Sequence, residues 1–122
     1  MSDAPFVALD HVQLAMPRDR EDVARRFYRD VLGMIELPMP PELAKRGGVW
    51  FASRQVQIHL GVEDDFRPAK KAHPALVCRD YVGLLDALRA AGFSAEEDDA
   101  IPGVRRCYIS DPFQNRIELI SS

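Results

Sequence analysis

The order strand, helix, loop, strand, strand occurs twice along this chain of 122 residues, and no other feature restricts its fold so closely. In LDHVQLAM polar and apolar residues alternate, with Val12, Leu14 and Met16 on one face and His11 and Gln13 on the other, as in a strand with one face in a core. PRDREDVARRFYRDVLG follows as a helix. Asp19 is its expected N-cap, Val23, Phe27 and Val31 recur beside Ala24, Tyr28 and Leu32, and Gly33 is the stop. The PMPP stretch reads as loop, and GGVWFAS and QVQIHLGV as two short strands with a turn near Ser53 and Arg54.

From residue 72 the pattern repeats. AHPALVCR is a strand, DYVGLLDALRAAG a helix capped by Asp80 and stopped by Gly92, and VRRCYIS and NRIELIS are two strands joined by the turn DPFQ. MIEL and FSAEE supply a further strand after each helix, so each half is βαβββ. The expected fold is α+β: two tandem βαβββ modules forming a curled mixed sheet with helices on its outer face. It is a single domain, with module 1 at about 6–62, a linker at 63–71 and module 2 at about 72–122.

Parity along the strands selects the candidate site. His59 in QIHL and Glu118 in RIEL occupy equivalent places in the last strand of each half, and His11 and His73 open the two halves. Gln13, Gln57, His59, Arg116 and Glu118 all face away from the helices, and a sheet helix-covered on one side can curl its other face around a cavity. His11, His59, His73 and Glu118 on a concave face would hold one divalent ion, and this donor set suits Zn, Ni, Co, Fe or Mn alike.

Composition narrows the partners. A net charge of −3 gives no reason to expect nucleic acid or an anionic membrane surface, and no apolar run is long enough to span a bilayer. MSDAPF lacks the pattern of a signal peptide, and Cys78 and Cys107, far apart, read as free thiols of a cytoplasmic protein. EDDFRPAKK reads as a solvated linker, although Arg67, Lys70 and Lys71 near its end could meet an anionic substrate.

LDHVQLAM, RRFYRDVLGM, AHPALV and the closing SDPFQNRIELI together resemble the vicinal oxygen chelate superfamily, the group of glyoxalase I, the bleomycin and fosfomycin resistance proteins, extradiol dioxygenases and methylmalonyl-CoA epimerase. The closing segment is close to the family's D-P-x-G-x-x-[IL]-E ending, with Gln114 and Asn115 in its glycine region. The resemblance implies a cup holding one divalent metal through His11, His73 and Glu118. His59 would be the fourth ligand or the acid/base, and catalysis would fall to His59 and Glu118. It implies a small substrate chelated through two vicinal oxygens and oriented by Gln13, Gln57, Arg116 and Trp50. The chemistry would be that of an isomerase or lyase, a thiol transferase or a dioxygenase. It also implies a homodimer. The alternative it offers is a metal-free protein that binds and sequesters a small molecule, as the bleomycin-resistance members do.

Overall fold

The computed structural model describes residues 3–122, so Met1 and Ser2, at the head of the segment read for a signal peptide, lie outside the described residues. Module 1 runs β1 (Val12–Met16), helix α1 (Glu21–Ala24) continuing into a π-helical stretch (Arg25–Val31), β2 (Ile35–Leu37), a short helix α2 (Pro41–Ala44), β3 (Val49–Ser53) and β4 (Val56–Val62). Module 2 runs β5 (Ala75–Cys78), α3 (Tyr81–Ala90), β6 (Ala95–Asp98), β7 (Arg106–Ser110) and β8 (Arg116–Ser121). The two βαβββ modules and their α+β class are as the sequence implies. The mixed sheet comes as two four-stranded sheets, one per module, ordered β1-β4-β3-β2 and β5-β8-β7-β6. The outer strands β1 and β5 run parallel to β4 and β8, and the remaining pairs are antiparallel.

Both sheets turn their apolar face to one shared core. Leu14, Met16, Phe51, Ile58 and Leu60 from the first join Cys107, Ile109, Ile117 and Leu119 from the second. The π-helical stretch sets the join. Its wide turn carries a hydrogen bond from the Leu32 N–H to the Phe27 carbonyl, and it buries the consecutive residues Phe27 and Tyr28 completely. Phe27 meets Phe93 of module 2 edge-on at 4.8 Å, and the Tyr28 hydroxyl donates to Asp111 at 2.7 Å. The Asn115 side-chain amide donates back to the Ala15 carbonyl at 2.8 Å.

Several local expectations need correction. Asp19 does not cap the first helix. It sits at φ 64°, Arg20 occupies the cap position without a side-chain bond, and Glu21 instead accepts from the Gly48 N–H at 2.8 Å. The PMPP loop ends in α2, which Pro41 starts at the first helical position. Residues 63–71 are mostly exposed, as a solvated linker would be, and are tied to both modules. Asp64 pairs with Arg18, the Ala69 N–H donates to Asn115, and the Ala69 carbonyl accepts from the Arg116 N–H. Asp80 does cap α3, accepting from the Gly83 N–H, and Gly33 and Gly92 end their helices at φ 77° and 90°. Gln114 holds φ 73° in the DPFQ turn, the conformation for which glycine is the usual choice. Cys78 and Cys107 are free thiols. Among the described residues no helix is long and apolar enough to cross a membrane.

Candidate functional site

Strand register gathers the polar residues of module 1 on the face away from the core. Gln13 lies opposite His59 across β1 and β4, and Trp50 lies opposite it across β3 and β4. His11, one residue ahead of β1, lays its ring on that of His59 at 4.0 Å and 13°, and Trp50 covers the other side at 4.2 Å and 12°. Gln57 bonds His59 Nε2 at 3.1 Å. The Gln13 amide lies over Gly61, where a Cβ would stand 2.6 Å from its nitrogen, so a larger residue there would push the Gln13 side chain aside. His59 is only 6% exposed, and burial, with the His11 ring second, pushes its pKa below the ordinary 6.5.

That depression fixes a sign. The fold favours neutral His59, so its contribution to stability is complete above pH 6.5 and is lost as pH falls below that value. In an NMR titration of metal-free protein the His59 ring is expected to titrate below 6.5 and to be neutral at pH 7. A midpoint at or above 6.5 would contradict the burial described here.

Module 2 builds a charged counterpart. Register puts Glu118 opposite Tyr108, Tyr108 opposite Glu96, and Arg106 opposite Asp98 on one face. Arg106 bridges Asp98 at 3.3 Å, Glu118 at 3.0 Å and the Tyr108 hydroxyl at 2.9 Å. The second Glu118 oxygen meets His73 Nε2 at 3.1 Å, and Arg116 stacks on the Tyr108 ring at 4.0 Å. Burial alone would raise the Glu118 pKa, but the hydrogen bonds from Arg106 and His73 outweigh it and hold the carboxyl below its usual range. Arg106 is the functional candidate that sequence reading passes over. Its parity with Tyr108 in RRCYIS was the available signal, but paired arginines look like solvated surface.

His73 is already arranged like a ligand. Its Nδ1 lies 2.8 Å from the Lys71 carbonyl, which can only accept, so Nδ1 carries a proton, and Nε2 hydrogen-bonds the Glu118 carboxylate at 3.1 Å. An imidazole nitrogen and a carboxylate oxygen 3.1 Å apart have the spacing of two adjacent donors, each about 2.1 Å from one ion that would take the place of the hydrogen between them. His11 is similar, with Nδ1 on the Asp10 carboxylate at 2.9 Å. The donor types therefore fit a divalent ion, but the four residues do not meet within the chain. They form two pairs, His11 with His59 and His73 with Glu118. Among the described residues no group of three or more His, Cys, Asp or Glu is close enough to hold a metal.

Two βαβββ modules, each with a polar open sheet face, define the class of fold. The chain belongs to the glyoxalase/bleomycin resistance protein/dioxygenase superfamily, whose family model matches residues 8–119. It is similar along its whole length to a Bacillus anthracis protein assigned to the glyoxalase family, at 44% identity, with 100% of this chain and 99% of that one covered and a TM-score of 0.93. The fosfomycin resistance protein FosX of Listeria monocytogenes shares the fold, at 16% identity, coverage of 96% and 94%, and a TM-score of 0.76. So does lactoylglutathione lyase of Agrobacterium tumefaciens, at 20% identity, coverage of 98% and 96%, and a TM-score of 0.71. No curated protein matches the chain.

Proposed function

We propose that the chain is a metal-dependent enzyme that holds one divalent ion through His11, His59, His73 and Glu118 and binds a small substrate through two vicinal oxygens. The single observation that carries this reading is the His73–Glu118 pair, an imidazole nitrogen and a carboxylate oxygen 3.1 Å apart. When bound, the ion would supply a Lewis acid for the two substrate oxygens. The chain's own residues do the rest. Trp50 and Tyr108 wall the two faces, Gln13, Gln57 and Arg116 orient the substrate, and neutral His59 accepts and returns a proton at one ring nitrogen.

The two halves of this site come together between copies of the chain. Each half-cup carries an exposed apolar side chain on its open face, Ile35 at 70% and Val77 at 66%, and Phe6, Val7 and Leu9 lead exposed into His11. A twofold homodimer that closes the first half-cup of one copy on the second half-cup of the other would cover this surface and complete two sites.

A second reading, metal-free sequestration of a small molecule, draws support from the His11–His59–Trp50 stack. Parallel imidazoles direct their lone pairs side by side, so one ring must turn before both can meet an ion, whereas a flat ring wall suits an aromatic ligand as it stands. Elemental mass spectrometry of untagged protein, beside Glu118→Ala, separates the two. The enzyme reading expects about one transition metal per chain, lost in the variant. Protein without metal even after reconstitution leaves the binding reading.

A further inference from the structure

The geometry points to a substrate with an anionic end, a carboxylate or phosphonate, seated on Lys70 and on Arg116, two residues along β8 from Glu118. The inference rests on the reading that the open sheet faces bind substrate, and it adds the chemical class. Arg116 shares the open face of β8 with Glu118, and its guanidinium sits over the ring of Tyr108, the residue directly opposite Glu118. A group bound at Arg116 therefore has Glu118 as its neighbour along the strand.

On this face of the second sheet Arg116, unlike Arg106, has no acidic partner. The neighbouring Arg106 is committed to Asp98, Glu118 and the Tyr108 hydroxyl. Among the described residues no carboxylate lies within ion-pairing distance of Arg116 or of Lys70. The residue across the strand from Arg116 is Ser110, and among the described residues the one side-chain hydrogen bond of Arg116 is a long contact of 3.4 Å to the Lys70 carbonyl. Stacking on Tyr108 fixes the plane of the guanidinium and leaves the N–H fork along its edge for a planar or tetrahedral oxyanion.

Arg116, Lys70 and Tyr108 line one cavity of ≈ 760 Å³, within the size range of small-molecule sites. Two carboxylates also line it. The Asp111 oxygens are occupied by Tyr28, Phe113 and Asn115, whereas Glu96, on the neighbouring strand, disfavours a second anionic group. The ligand that fits has one anionic end at Arg116 and a neutral or donor-bearing body.

The test is an NMR titration of the purified, as-isolated protein with benzoate, methylphosphonate and the neutral analogue benzamide, on wild type, Arg116→Gln, Arg116→Lys and Lys70→Gln, with metal content measured on each. The anions are expected to bind wild type and to move amide signals near Ser110, Arg116 and Lys70. Benzamide is expected to leave them in place. Arg116→Gln should weaken anion binding roughly tenfold or more, Arg116→Lys should restore part of it, and Lys70→Gln should weaken it less. Failure of both anions to bind wild type, equal binding to Arg116→Gln, or equal binding of benzamide overturns the inference. Arg116-dependent anion binding by a protein without metal would sink the metalloenzyme reading while leaving this one standing. Metal with no anion binding would do the reverse.

Discussion

Asp111→Ala is expected to lose about 3–5 kcal/mol of folding stability in urea denaturation, the largest effect of any single change outside the site. Asp111 is 1% exposed and accepts from the Tyr28 hydroxyl at 2.7 Å, the Phe113 N–H at 2.9 Å, the Asn115 N–H at 2.8 Å and the Asn115 amide at 3.1 Å. Alanine would strand these buried donors and release the bond that ties the first helix to the DPFQ turn. Tyr28→Phe removes one donor and should cost less, about 1–3 kcal/mol. If Asp111→Ala behaves like Tyr28→Phe, the turn is not the clasp between modules. Burial raises the Asp111 pKa and its hydrogen bonds only partly offset this. Its linkage therefore favours the fold at low pH and fades as pH rises above the ordinary 3.8. Loss of stability on acidification comes from groups shifted the other way, His59, Glu118, Asp30 and Glu97.

His59→Gln is expected to keep the metal on His11, His73 and Glu118 but to lower kcat by about 10²–10⁴-fold, the usual worth of a positioned acid/base. Glutamine matches the reach of the ring but cannot take a proton near neutral pH. The depressed pKa of His59 is what makes it available as a base at pH 7. The assay uses whichever of a hemithioacetal, an epoxide with thiol, or a catechol the wild type turns over. Loss of metal together with activity would make His59 an indispensable ligand rather than a fourth one whose main work is proton transfer. Unchanged kcat would remove it from the chemistry.

Much of the fold was legible because strand parity and helix stops are local. Gly33 and Gly92 ended the helices where left-handed backbone was needed, and alternation put Gln57 and His59 opposite Ile58 and Leu60. The first helix began later than Asp19 implied because the chain there adopts left-handed backbone and Glu21 bonds to Gly48, a contact distant in sequence. The docking of residues 63–71 was invisible for the same reason, since Asn115 and Arg116 hold Ala69 from module 2. For the site, parity and the repeat found which residues share a face. They could not show that the His11–His59 and His73–Glu118 pairs stand on separate sheets, because how two modules pack depends on side chains such as Phe27, Tyr28 and Asp111 across the join. Arg106 escaped because only the packed structure shows it paired with two carboxylates.

The most direct test of the two-copy metal site is the metal content of mixed dimers. His11→Ala and Glu118→Ala are each expected to bind little metal. When the two are unfolded together and refolded, each mixed dimer joins the intact first half-cup of one chain to the intact second half-cup of the other. Elemental mass spectrometry of the isolated mixed dimer should then find metal restored to about half the wild-type level. No recovery in the mixed dimer, with wild type fully loaded, would place all four ligands within one chain and contradict the shared site.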